Sequence, residues 1–560
     1  MPKRSISVIS AFLFCWSAAA QQQQPTITIQ KSAELVTIPV LVTDKSGKPV
    51  HGLNKQDFTV KEDGKTDRPI AVFEELQATP GPVKKASRAE TVFSNFDVSD
   101  TKLHRVTIIV LDMLNTPFTA QAHTRAELIK FLASNVRGND PIALLVIGRN
   151  GLSQIHAITS NPEILIQALK RVRGQYSNAD SIAADETAQA NVDGVTSATR
   201  IDQQDVSDET GQLNSFLKDS ESMATAFQQR EAIRITLAAL EQIAHAFGGL
   251  PGRKTLIWAS SGFPFMVEDP KSILGFGTDT VADYERTFRT MNTANIAVYP
   301  IDAVGLFNPS YRDFDPSRRG NPRPRESMRP VYDRYQQTQD TLRTFASATG
   351  GNVCLNTNDL AKCFHEAEQD SDAYYMIAYY LPPDDRKPGW HKLKVTVDRK
   401  DTHVRARSGF LVASPQVIKQ EDTRKTEILT ALGSPVDYTS LPFVVGWGEV
   451  KPDEATPGRV LAQFQLGLYA DAFTVDSDQN NHLELDIAAL ALTDSKKEAG
   501  EYTKTIEAHL KPESLDTIRR AGIRFNGHIS LPKGKFTVRF VVRDDLGGRI
   551  GTVTAPVEIN

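Results

Sequence analysis

Apolar positions along this chain follow two different periods, and the period changes twice. Between Thr26 and Leu76 they come in short alternating runs, Val36-Thr37-Ile38-Pro39-Val40-Leu41-Val42, Phe58-Thr59-Val60 and Ile70-Ala71-Val72-Phe73. Turn residues separate the runs at Asp44-Lys45-Ser46-Gly47 and Glu62-Asp63-Gly64-Lys65. Alternation with such punctuation predicts strands joined by tight turns, hence a small β-sandwich-like module over 25–78. The Pro, Gly, Lys and Ser residues that follow read as a linker, 79–103.

From Val106 the pattern becomes continuous apolar runs alternating with helical spacing. Val106 to Leu111, Ile142 to Ile147, Thr255 to Ala259 and Ile296 to Ile301 are short and wholly apolar or nearly so, as strands buried on both faces are. Leu128, Phe131 and Leu132 share a helical face, and Ile233, Leu237, Leu240, Ile243 and Phe247 share another, which Gly248-Gly249 ends. Gln154 to Ile158 reads as an edge strand, and a last repeat begins at Asn352 to Leu355 with a helix from about Asp359. The implied architecture is an α/β doubly wound, Rossmann-like domain over 104–370. Two polar segments interrupt it, 177–221 and the Arg- and Pro-rich 308–334.

Alternation returns in Tyr374 to Tyr380, Lys392 to Val397 and Val404 to Arg407, a β extension over 371–413. A helical linker, 414–436, precedes a C-terminal β-sandwich over 437–560, with tight turns at Lys533-Gly534-Lys535 and Asp544 to Gly548. The whole is multidomain, as 560 residues imply.

Lys+Arg 64 against Asp+Glu 68 gives a net charge of -4, so no positive excess exists to neutralise a phosphate backbone, and nucleic acid is not expected as a partner. The N-terminus has a basic start at Lys3 and Arg4, an apolar run from Ile6 to Trp16 and small residues Ala18-Ala19-Ala20. That is the form of a signal peptide, 1–20, too short to span a bilayer, so a secreted or periplasmic protein without a membrane span is expected. Export leaves Cys354 and Cys363, an even pair in an oxidising compartment, either bridged as a disulfide or packed as two buried thiols.

Three enzyme-like phrases are incomplete. Gly248 to Thr255 has Arg253 where a phosphate-binding loop needs Gly, and it leads into a strand instead of following one. Ser260-Ser261-Gly262 follows a strand as a nucleophile elbow does, but Trp258 replaces the first Gly. Asp476, Asp478 and Asn480 are spaced as calcium ligands, yet Asn481 replaces the turn Gly and Ile487 the bidentate Glu. A non-enzyme is expected, with no catalytic residue.

Several longer phrases resemble the acidobacterial von Willebrand factor A-related family. These are Asp112-Met113-Leu114-Asn115-Thr116 after the first buried strand, Leu250-Pro251-Gly252-Arg253-Lys254-Thr255-Leu256-Ile257-Trp258-Ala259-Ser260-Ser261-Gly262-Phe263, Tyr375-Met376-Ile377-Ala378-Tyr379-Tyr380, Arg405-Ala406-Arg407-Ser408-Gly409-Phe410, and Val50 to Phe58. The resemblance implies an exported von Willebrand factor A-like domain between β modules, without an established activity. In such domains a D-x-S-x-S motif, a Thr and a later Asp hold a divalent cation that a partner's carboxylate completes. By that resemblance Asp112 and Thr116 are the metal candidates for a cation such as Mg²⁺, but Leu114 stands at the middle Ser and Ser260 and Ser261 where an acid belongs, so the adhesion site is degenerate. The competing reading has Asp112 capping a backbone N–H.

The strand ends then bring Asp112, Asn115, Thr116, Ser260, Ser261 and Asp302 to one face, a binding cluster for a protein partner. The functional expectation is a protein-binding or adhesion-type module. The alternatives are an envelope scaffold and a cryptic serine hydrolase using Ser260 or Ser261.

Overall fold

The computed structural model describes residues 34–64, 66–78, 91–96, 105–134, 140–175, 177, 208–263, 278–306, 329–412, 421–470, 472–476 and 480–560. The expected signal peptide 1–20, Asp478 and most of the two polar insertions lie outside them. Among the described residues, no helix is long and apolar enough to cross a membrane.

The chain is multidomain, and its centre is a mixed five-stranded sheet. The order across it is Ile296–Asp302, Lys254–Ser260, Val106–Asp112, Ile142–Gly148 and Gly151–Thr159. The first four are parallel and the last is antiparallel to its neighbour. Every residue of the four parallel strands is buried, which is what continuous Val, Ile and Leu runs require when both faces are covered. Successive side chains divide between two cores. Ile108 and Val110 point to the face where Ile233, Leu237 and Leu240 of helix Asp208–Phe247 pack with Phe288 and Phe345. Ile109 and Leu111 point to the other, against Leu128 and Phe131 of Phe118–Ser134, Leu165 of Pro162–Arg171 and Phe364 of Leu360–Gln369. Helix Asp208–Phe247 starts inside the expected insertion 177–221, so part of that polar stretch is its N-terminal extension.

The flanking β regions differ from expectation in how they associate. Strands Glu34–Asp44 and Val72–Gln77 pair with Ala373–Leu381, and Phe58–Glu62 pairs with Gly389–Val397. The described parts of the expected N-terminal module and β extension, 34–77 and 373–412, are thus two halves of one sandwich, whose core joins Ile38, Val40, Phe58 and Val60 to Tyr375, Ile377 and Leu393. Alternation fixes which face each strand buries but carries no information about a partner some three hundred residues away. The expected linker 79–103 likewise contains a strand, Val92–Ser94, which pairs with Phe443–Pro452 in the C-terminal sandwich. That sandwich closes Phe443, Phe464, Leu485, Ile529 and Phe540 between two four-stranded sheets. The segment expected as a helical linker forms helix Glu421–Gly433.

Candidate functional site

Strand order in the central sheet runs outward in one direction from Val106–Asp112 and then resumes on its other side at Lys254–Ser260. Loops leaving these two neighbours diverge, so their carboxyl ends mark the position where ligands sit in open α/β sheets. Asp112, Ser260 and Asp302 all terminate strands at this edge.

Asp112 is 1% exposed, and four donors meet its carboxylate. Asn115 donates its backbone N–H to Oδ1 at 3.0 Å and its Nδ2 to Oδ2 at 2.8 Å, while Ser260 Oγ at 2.8 Å and Trp258 Nε1 at 3.3 Å donate to Oδ2. Burial pushes this carboxyl above its usual range, and the bonds from Asn115, Ser260 and Trp258 oppose that shift. Asn115 Nδ2 also donates to Thr236 Oγ1 at 2.8 Å, which ties the loop to helix Asp208–Phe247. Ser260 Oγ in turn accepts from Gly262 N at 3.0 Å. Gly262 has φ +74°, and a Cβ there would lie 2.6 Å from Thr338 O, so only glycine lets the chain turn here against helix Arg329–Thr349.

Asp302 belongs to a second network. It accepts from Val304 N at 3.0 Å, Tyr335 Oη at 2.8 Å and Gln339 Nε2 at 3.3 Å. Burial raises its carboxyl, and the half-buried Tyr335 hydroxyl is raised by its own desolvation and then by the Asp302 carboxylate. The six expected binding residues therefore share one edge, where Ala303 N donates to Ser260 O at 3.0 Å, while the side chains of Asp112 and Asp302 are held by different donors. Asp112, Asn115, Thr116, Ser260 and Asp302 are all buried, so the edge is closed over where an open polar crevice was expected. Thr116 Oγ1 and Ser261 Oγ are buried without a hydrogen-bond partner among the described residues.

The donor chemistry does not fit a divalent cation at Asp112. A hard cation needs several oxygen lone pairs directed at it, whereas here N–H and O–H hydrogens already point at the carboxylate and Leu114 is a buried apolar side chain. The capping alternative describes Oδ1 well, since it accepts the backbone N–H of Asn115.

Thr236, Trp258, Tyr335 and Gln339 complete these networks, and none of them is assigned to the site from the sequence, where Trp258 enters only as the residue that replaces the first Gly of a nucleophile elbow. Thr236 alone leaves a trace there, as a hydroxyl beside the apolar stripe Ile233, Leu237 and Leu240. The phosphate-loop phrase is structural. Arg253 donates to Asp370 O at 3.0 Å, Tyr299 Oη at 2.9 Å and Gly350 O at 2.8 Å. Lys254 is buried with its Nζ donating to Leu250 O at 2.8 Å, and burial alone pulls its pKa down to about 7. Cys354 lies beside Ile301 at the sheet margin and is joined to Cys363 as a disulfide, with Cα atoms 6.0 Å apart.

No family model and no curated protein matches the chain. Among solved structures, the pilus adhesin SpaC from Lactobacillus rhamnosus GG aligns at 8% identity and TM-score 0.25, over 93% of this chain and 57% of that one. The ArnB paralog VWA2 from Sulfolobus acidocaldarius aligns at 8% identity and TM-score 0.21, over 90% and 76%. Proximal thread matrix protein 1 from the mussel byssus aligns at 8% identity and TM-score 0.23, over 47% of each chain. The chain thus spans about half the length of two of these neighbours, and likenesses at such scores do not establish a shared fold.

Proposed function

We propose that this chain is an exported, non-catalytic protein-binding module of adhesion type, in which a von Willebrand factor A-like domain presents the carboxyl edge of its central sheet to a protein partner without using a metal ion there. The observation that carries the reading is the pair of buried hydroxyls, Thr116 Oγ1 and Ser261 Oγ, that lack a hydrogen-bond partner among the described residues at the strand-order reversal. An unmade hydrogen bond in a buried position costs about 1–3 kcal/mol, and in this reading the edge, closed in the free chain, opens to admit a partner's polar side chain that recovers it. Asp112 contributes by holding Asn115 and Ser260 in place, its charge balanced by four donors in the role a cation plays in a metal-dependent site. A serine hydrolase is disfavoured because Ser260 Oγ is engaged with Asp112 and Gly262 N instead of a histidine.

The test is crosslinking capture from the native envelope with wild type, Asn115→Ala and Ser261→Ala. Both variants should fold and lose capture. If they capture the same partner as wild type, and capture instead requires residues 437–560, the edge is not the binding face and the α/β domain acts as a spacer in a scaffold. Stoichiometric labelling by a serine-directed fluorophosphonate would favour the hydrolase. Millimolar Mg²⁺ or Ca²⁺ should leave the melting temperature of the chain nearly unchanged, since stabilisation follows the logarithm of concentration over Kd. A shift of many degrees that Asp112→Ala abolishes would overturn the metal-free reading.

A further inference from the structure

A second cluster with ligand chemistry lies far from this edge, in the C-terminal sandwich. Strand His482–Leu492 pairs antiparallel with Glu498–His509, and the register puts His482 directly opposite His509 and Glu484 opposite Glu507. Side chains alternate along a strand, so Leu483 and Leu485 enter the sandwich core while His482, His509 and Glu507 share the outer face. The two imidazoles are stacked with centroids 4.9 Å apart and planes 27° from parallel. His482 Nε2 is 3.4 Å from Glu507 Oε1, and one ligand atom from each of the three residues lies within 4.8 Å of the others.

His482 is 5% exposed, and neither of its ring nitrogens has a hydrogen-bond partner among the described residues. A buried imidazole without bonds is costly, and in a native structure such a group calls for an explanation such as an ion. The other His and carboxylate cluster, Glu62 with Asp63 and His391, offers no such vacancy. Glu62 accepts from Arg68 at 2.7 Å, Tyr379 at 2.8 Å and His391 Nδ1 at 2.9 Å, and His391 Nε2 bonds to Lys387 O at 2.7 Å.

We propose that His482, His509 and Glu507 form a binding site for a divalent zinc ion. Two imidazoles and one carboxylate are a ligand set that zinc takes with three protein ligands and a fourth position for water. Bonds of about 2.0–2.1 Å at tetrahedral angles separate ligand atoms by about 3.3 Å, close to the spacing of His482 Nε2 and Glu507 Oε1. Neutral imidazole supplies a lone pair where the unpaired ring nitrogens of His482 now have none to share with. Zinc there ties the last residues of the edge strand Glu498–His509 to its neighbour. Glu507 and His509 are exposed, so the ion has a route from solvent.

The experiment is zinc titration of the untagged, chelator-stripped full chain against a chromogenic zinc indicator, with Glu507→Gln and His509→Ala as exposed-side variants and His482→Ala as the buried one. Wild type should take up one zinc per chain at micromolar concentration or below, and each variant should bind at least tenfold more weakly. Circular dichroism of the two exposed-side variants should match wild type, which keeps the outcome readable even if His482→Ala fails to fold. No uptake by wild type, or uptake undiminished in both Glu507→Gln and His509→Ala, overturns the proposal.

Discussion

Replacing Lys254 by methionine should stabilise this protein at neutral and mildly acidic pH and lose that advantage as pH rises. Lys254 begins a central strand, is 2% exposed and donates its Nζ to the Leu250 carbonyl. Its pKa falls from 10.5 to about 7 through desolvation alone. Below about pH 7 the ammonium is charged in both folded and unfolded chains, and the full cost of burying it is present. Between 7 and 10.5 the unfolded chain holds a proton that the folded chain has lost, so stability rises with pH. A shift of this size corresponds to on the order of 5 kcal/mol. Methionine removes that cost but leaves the Leu250 carbonyl unpaired, at about 1–3 kcal/mol. The net gain near pH 6 is then about 2–4 kcal/mol, falling to near zero by about pH 9, where roughly 2 kcal/mol of the original cost remains. Urea unfolding of both proteins at pH 6, 7.5 and 9, followed by tryptophan emission, measures the difference, and subtraction removes the titration of every other group. The reasoning fails if the variant is less stable at pH 6, or if the difference does not change with pH.

Two further outcomes are expected. Asp112→Ala strips four donors of their common acceptor and should lower stability by about 3 kcal/mol or more, while Asp112→Asn, which keeps one carbonyl oxygen, should cost less; equal urea midpoints for wild type and Asp112→Ala would sink the network. Intact-mass analysis should find the mature protein two hydrogens lighter than its reduced form, with reduction lowering stability by about 2–3 kcal/mol for so short a loop, whereas two alkylatable thiols in unreduced, denatured protein would exclude the bridge.

What the sequence reveals and what it hides follow from the range of the interactions. The strands Val106–Asp112, Ile142–Gly148 and Ile296–Asp302 are legible because a segment buried on both faces must be apolar throughout. The helical stripe Ile233, Leu237 and Leu240 is legible because its period is local, and Asp359 marks a helix start by accepting from Lys362 N at 3.1 Å. Strand partnership is not local. Nothing in Val36 to Val42 names Tyr375 to Leu381 as its neighbour, and the short run Val92–Ser94 is indistinguishable from a linker until Phe443–Pro452 lies beside it. At the candidate site, the strand ends could be placed but the closure could not. The donors that quench Asp112 include Trp258, which reads as an ordinary core residue, and Asp302 is held by Tyr335 and Gln339 of a helix whose docking no motif announces. The His482 and His509 pair was invisible for the same reason, since register across a hairpin decides whether two histidines twenty-seven residues apart meet or face away.

The threading of the chain sets an order of assembly. Residues 34–77 lay down half of the first sandwich, Val92–Ser94 supplies a strand of the last, the α/β domain follows and ends at Gln369, and only then do Ala373–Leu381 and Gly389–Val397 complete the first sandwich. As the chain emerges from a ribosome or a translocation channel, the middle domain is the first unit able to close. The N-terminal strands must wait through nearly three hundred residues with their ladders unpaired, and Val92–Ser94 waits longer still for Phe443–Pro452. Such delayed, long-range pairing is slow and leaves sticky strand edges exposed meanwhile. A premature stop just after Gln369 therefore leaves a folded centre trailing unpaired strands, a product more prone to aggregate than to persist as a smaller working protein.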